Sequence, residues 1–151
     1  MKVIQQTDNK DTICRQVLEA LPHWFGIAES VDQYVADASK QPMFVAQDQS
    51  QLVGMITLQQ HNSLNIEIAA MGVMPDHHRN GIGRQLVAAA EQFARQAGAK
   101  AMTVKTLSSR ASDEGYAKTR AFYEGVGFQV FEEMPGLWDD DNPAVVLIKF
   151  L

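Results

Sequence analysis

Apolar positions recur along this chain in two rhythms, and the switches between them outline its elements. "KVIQQ", residues 2–6, reads as a short strand. Residues 9–21 place Ile13, Val17, Leu18 and Leu21 at helical spacing and stop before Pro22, and residues 28–39 set Val31, Tyr34, Val35 and Ala38 on one stripe of a second, shorter helix. Residues 43–47 and 52–60 read as a hairpin with residues 48–51 as its polar tip, and residues 64–74 form a further strand closed by Pro75. The firmest helical period lies in residues 81–97, where Ile82, Leu86, Val87, Ala90, Phe93, Ala94 and Ala97 share a face and Gly98 supplies the stop. A strand at 101–107, a helix at 116–126 and two closing strands at 128–134 and 144–151 complete the order β-α-α-β-β-β-α-β-α-β-β. That order predicts an α/β fold in which helices cover a mixed sheet. No repeat, low-complexity tract or linker interrupts it, so residues 1–151 are expected to form a single domain.

Composition narrows the function classes. A net charge of −5 and a pI near 5.3 argue against sequence-independent nucleic-acid binding, which needs a basic face to displace counterions. The N-terminal residues lack a signal-like apolar core and no run of about 18 apolar residues occurs, so neither secretion nor a membrane span is expected. A cytoplasmic location follows by default, and the lone Cys14, which excludes an internal disulfide, suits a reducing compartment.

The segment "DHHRNGIGRQLV", residues 76–87, joins a strand end to a helix start. Gly81 and Gly83 flank Ile82 there, between Arg79 and Arg84. The first turn of a helix has backbone N–H groups without intrahelical partners and the positive end of the dipole, so such a junction favours an anion, and glycines let it approach closely. Two known anion cradles fail on the letters. A dinucleotide fingerprint needs a third glycine at Leu86, and a Walker A loop needs lysine where Arg84 stands. A glycine-eased turn that binds nothing remains the plain alternative.

Three features in order, the strand "IAAMGVMP", the loop "HRNGIGRQL" and the later "AFYEGVGF", resemble the GNAT superfamily of N-acetyltransferases over essentially the whole chain. The resemblance implies the GNAT fold, a mostly antiparallel central sheet with helices on both faces, and acetyl-coenzyme A as co-substrate. The signature loop, which in that family wraps the pyrophosphate, maps onto His78, Arg79, Asn80, Gly81, Ile82 and Gly83, with His78 where Arg or Gln is usual and Arg84 adding charge. The same resemblance implies that the strand before the loop splays from residues 101–107, leaving backbone groups of Met71, Gly72 and Val73 to bond the pantetheine arm. The N–H of Val73 is then expected to stabilise the thioester oxyanion. Met71 and Val73 as ordinary core residues is the competing reading.

Direct attack of an amine on a thioester makes two proton demands: an ammonium must lose a proton, and the leaving thiolate benefits from gaining one. Glu67 is the candidate base. Alternation places it opposite the apolar row Leu64, Ile66 and Ile68, and it stands eleven residues before His78, the spacing of the glutamate base in the histone-acetylating branch of the superfamily. A strand glutamate on a solvated face is the other reading. Tyr123 resembles the family tyrosine that protonates the coenzyme sulfur, against the alternative of a core tyrosine; seven residues earlier, Tyr116 replaces a frequent coenzyme-bonding Asn.

The remaining features are discounted or left open. His77 and His78 are adjacent and lack a nearby cysteine, so no metal site is expected. Residues 138–143, "WDDDNP", read as a solvated loop, although by the resemblance they border the acceptor and their carboxylates would attract a cationic amine. His23, Trp24 and Phe25 either wall an acceptor pocket or pack the first two helices. The expected activity is acetyl transfer to a primary amine of a small molecule or peptide. A non-catalytic acyl-coenzyme A sensor is the alternative, no membrane or nucleic-acid partner is expected, and a homodimer stays open.

Overall fold

The computed structural model describes residues 1–151. Its elements follow the order read from the sequence: β1 Lys2–Gln6, α1 Lys10–Glu19, α2 Ala28–Ala38, β2 Met43–Asp48, β3 Gln51–Gln60, β4 Asn65–Val73, α3 Ile82–Gln96, β5 Ala101–Leu107, α4 Glu114–Gly125, β6 Gln129–Asp139 and β7 Asn142–Phe150, with a short 3-10 turn at Pro75–His77. Seven strands form one sheet in the order β1-β2-β3-β4-β5-β7-β6, and only β4 and β5 run parallel. The two faces carry separate cores. Cys14, Val17, Leu18, Val31 and Val35 of α1 and α2 bury against Met43, Val45, Met55 and Ala70 on one face. Ile82, Leu86, Val87 and Ala90 of α3, with Tyr123 of α4, bury against Ile56, Ile66, Val104 and Val145 on the other. Each fully buried Leu or Ile contributes roughly 1.5–3 kcal/mol of transfer free energy, so the sheet is held between two apolar layers.

Two irregularities matter for the site. Thr57 pairs with Ala70 but Leu58 pairs with Ile68, so Ala69 has no partner and forms a bulge in β4. The β4–β5 ladder runs from Asn65↔Ala101 to Ile68↔Val104 and ends there, beside the bulge. Beyond it Lys105, Thr106 and Leu107 pair only with β7.

The closing hairpin corrects an expectation. β6 continues five residues past Met134 because the edge strand absorbs Pro135 and Gly136 in a wide irregularity: pairing jumps from Met134↔Ala144 to Asp139↔Asn142. Residues 138–143 are therefore the end of a hairpin rather than a free loop, with the Asp139 carboxylate accepting from the Asp141 N–H at 3.0 Å and from Asn142 Nδ2 at 2.9 Å. Leu64 also departs from the period-2 reading, since it precedes β4 and is 60% exposed.

Candidate active site

The gap between β4 and β5 is lined by backbone on its β4 edge. Met74 N–H donates to Val53 O at 2.8 Å and Thr57 Oγ1 donates to Ala70 O at 3.4 Å, so the even-numbered residues of this stretch turn their polar groups toward β3. Alternation then turns the N–H groups of Met71 and Val73 to the open edge. Gly72 lies out of phase with them, and its missing side chain answers a different need. A Cβ there would stand 2.7 Å from Leu21 Cδ1 and 2.8 Å from Val17 Cγ1, so glycine lets α1 sit against the sheet.

After β4 the chain turns sharply into α3. Arg79 has φ 69° and Gly81 φ 76°, both left-handed, and Gly81 opens the helix without any side-chain cap. The first intrahelical bond at this end is Gln85 N–H to Gly81 O at 3.2 Å, and no acidic residue lies in the first turn. The N–H groups of Ile82, Gly83 and Arg84 therefore stand ahead of the first ladder bond at the positive end of a 15-residue helix. His78 Nε2 lies 2.7 Å from Val73 O. A carbonyl only accepts, so that nitrogen carries a proton and ties the loop back to the strand end. Arg84 donates to Gly125 O of α4 at 3.3 Å. Asn80 precedes Gly81 at the tip of the loop. At Gly83 a Cβ would meet Phe122 Cε1 at 3.0 Å and Met71 Cε at 3.1 Å, so this glycine also lets α3 pack closely on α4.

The two proton-transfer candidates occupy opposite faces of the sheet. Tyr123, buried among Phe122 and Phe128 at centroid distances of 5.2 and 5.5 Å, points its hydroxyl at Met71 Sδ, 4.0 Å away. Burial pushes its pKa up, so the phenol stays protonated. Glu67 projects from the other face. Far from being solvated, it is 8% exposed, and its carboxylate accepts from His61 Nε2 at 2.7 Å and pairs with Lys105 Nζ at 3.2 Å. Tyr34 of α2 lies on this face too; burial first, then the Glu67 charge, raises its pKa. His61 and Lys105 were missed in the sequence because each is a lone polar residue near a strand end; only the β4–β5 pairing brings Lys105 to Glu67.

His23 and Trp24 tie the segment between α1 and α2 to α4. His23 Nε2 meets Asp113 Oδ1 at 3.1 Å, Trp24 Nε1 donates to Thr119 Oγ1 at 3.2 Å, and Tyr116 Oη donates to Trp24 O at 3.0 Å. The Trp24 ring also lies edge-on to His78 at 6.2 Å. Tyr116 is thus a strut for this segment. Asp113, which caps α4 by accepting from Tyr116 N–H, is held below the usual carboxylate range by that bond first and by His23 second.

A family model described as the acetyltransferase (GNAT) family matches residues 11–128. The chain belongs to the GNAT acetyltransferase family. No curated protein matches it significantly, but solved structures share the fold. A GNAT-family acetyltransferase candidate from Desulfovibrio desulfuricans is 17% identical, with a TM-score of 0.82 over 99% of this chain and 98% of that one. An aminoglycoside 6′-N-acetyltransferase complexed with coenzyme A is 20% identical, with a TM-score of 0.78 over 99% and 97%. A GNAT acetyltransferase from Elizabethkingia anophelis with acetyl-CoA bound is 17% identical, with a TM-score of 0.77 over 99% and 97%.

A GNAT acetyltransferase takes acetyl-coenzyme A as co-substrate, and the observed residues fit it. The uncapped start of α3, the left-handed turn before it and the flanking Arg79 and Arg84 suit a pyrophosphate. The open edge of β4 suits an extended arm that carries amides. No group of three or more His, Cys, Asp or Glu side chains is close enough together to hold a metal ion. No helix is long and apolar enough to cross a membrane.

Proposed function

We propose that this acetyltransferase moves the acetyl group directly from acetyl-coenzyme A to the primary amine of a small cationic acceptor, with donor and acceptor meeting at the β4–β5 gap from opposite faces. The observation that carries this is the placement of Tyr123 at Met71 on the α3 side and of Glu67, His61 and Lys105 on the α1–α2 side of the same strand pair.

The order of groups along the coenzyme assigns the backbone roles. Pyrophosphate at the loop lies beyond Val73, so an arm running back along β4 passes Val73 first and ends at Met71, where Tyr123 stands. The Val73 N–H then holds the arm, and the oxyanion role expected for Val73 passes to the Met71 N–H. As the amine nitrogen bonds to the acetyl carbon, negative charge develops on the carbonyl oxygen and meets that fixed donor. Collapse breaks the carbon–sulfur bond, the thiolate takes the Tyr123 proton, and the tyrosinate regains a proton from solvent as coenzyme A leaves. The amine proton leaves toward Glu67, four residues before Met71 and so roughly 13 Å back along the strand, which requires water between them.

A cationic acceptor is supported by the charge at the mouth. Leu107↔Ala144 pairing brings the β6–β7 tip, with Asp139, Asp140 and Asp141, to the same end of β5 as the open gap. The aminoglycoside N-acetyltransferase among the matches is named for an amine-bearing small molecule, which points the same way. A cytoplasmic location, tested by cell fractionation, is supported by the lone Cys14.

The test is a panel of amines, amino acids and peptides with acetyl-coenzyme A, followed by free-thiol release. Amine-dependent thiol with stoichiometric N-acetyl product supports the proposal. Acetyl-coenzyme A binding without turnover on any amine would instead make the protein a sensor.

A further inference from the structure

Thr106 carries a hydroxyl that no part of the protein satisfies. It is 4% exposed on β5, and its Oγ1 has no hydrogen-bond partner. A buried hydroxyl without a partner is destabilising, so one that persists calls for a reason. Its direction is fixed by register. β5 pairs with β7 without a break from Ala101↔Phe150 to Leu107↔Ala144, so Thr106 shares a face with Met102 and Val104, and with its partner Val145. All three belong to the core under α3 and α4, the face on which Tyr123 lies.

Its height along the gap is fixed by the same pairing. The β4–β5 ladder ends at Ile68↔Val104, and the unpaired Ala69 absorbs one residue of β4. Continuing the register past the bulge sets Thr106 level with Met71, the residue that the Tyr123 hydroxyl faces. Two buried hydroxyls, one from β5 and one from α4, thus converge on the point where the strands part. The other orphaned atom, Glu133 Oε2, lies in the same cross-strand row through Val145 but two strands from Thr106, about 10 Å, and cannot serve as its partner.

We propose that the Thr106 hydroxyl hydrogen-bonds the sulfur end of the acyl-pantetheine arm, across the gap from Met71. This rests on the proposed function, in which the arm lies along β4. Thr106 is then a binding residue for the acyl donor, which supplies the partner that no protein group gives its hydroxyl.

Calorimetry on Thr106→Val and Thr106→Ser tests it with two ligands, acetyl-coenzyme A and adenosine 3′,5′-bisphosphate, which carries the nucleotide but no arm. Thr106→Val should weaken acetyl-coenzyme A about tenfold. It should leave the bisphosphate unchanged, and thermal unfolding without ligand should occur at the same or a higher temperature. Thr106→Ser, which keeps the hydroxyl, should bind acetyl-coenzyme A within a few-fold of wild type. Equal acetyl-coenzyme A affinity in Thr106→Val and wild type would overturn the proposal, as would a matching loss for both ligands. Thr106→Ala gives the same reading should the valine variant fail to fold. Wild type that binds neither ligand would instead remove the donor site itself, and this inference with it.

Discussion

Replacing Tyr123 with Phe separates chemistry from packing. The ring stays between Phe122 and Phe128, and the substitution removes only the hydroxyl, whose one hydrogen-bond contact is to the Met71 sulfur at 4.0 Å. A sulfur interaction of that length is far weaker than an ordinary hydrogen bond, while the removed hydroxyl was buried, so the change in stability should lie within about 1 kcal/mol of zero, in either direction. Loss of one general acid lowers kcat by roughly 10²- to 10⁴-fold, or about 3–5 kcal/mol of barrier. The kinetic effect therefore exceeds the structural one several-fold. Steady-state kinetics with the acceptor found by the panel, coenzyme affinity by calorimetry and thermal unfolding are measured on the same preparation. Because burial pushes the Tyr123 pKa up, the wild-type enzyme should show no loss of kcat from this group near pH 10, the ordinary phenol value. Full kcat in Tyr123→Phe, with chemistry rate-limiting, would refute the acid role; a kcat loss matched by an equal loss of coenzyme affinity would reassign the residue to binding.

Glu67→Gln should lower kcat/KM most at low pH and recover as pH rises, because more acceptor arrives deprotonated; a uniform loss in a pH series would assign Glu67 to positioning. Gly72→Ala should destabilise by about 1–3 kcal/mol, since its Cβ would press on Val17 and Leu21, and urea unfolding at wild-type stability would contradict that packing. Cys14 is fully buried, with its thiol pKa pushed up to about 11 by burial, so it should resist thiol reagents until the protein unfolds. Its folded pKa exceeds the ordinary 9.0, so the unfolded chain loses the proton first and stability falls as pH rises from there toward 11; an unfolding midpoint that Cys14→Ala leaves equally pH-dependent would oppose this.

Most of the fold was legible because its periods are long and clean. The stripe Ile82, Leu86, Val87, Ala90 and Ala94 admits one helix face, and it is the buried one. The Ala69 bulge was not legible, since nothing in "EIAAMGV" marks which alanine goes unpaired; that depends on the β3 partner. The β6 extension was hidden by Pro135 and Gly136, which end a central strand but are tolerated at an edge. In the site, the glycine loop and Tyr123 showed in local sequence. Glu67 was visible as a candidate but its burial was not, because His61 and Lys105 reach it through a hairpin and a parallel pairing. Gly72 and Gly83 also answer to helices packed against them, a demand that appears only once α1 and α4 are in place.

A crystal structure with acetyl-coenzyme A bound tests the placement of the donor without an intermediate step. Pyrophosphate should lie at the start of α3 and the arm along the open edge of β4. The thioester oxygen should fall within hydrogen-bond distance of the Met71 N–H, with the sulfur beside Tyr123. A coenzyme bound elsewhere, or lying in the gap with its thioester away from Met71 and Tyr123, would contradict the proposed transfer.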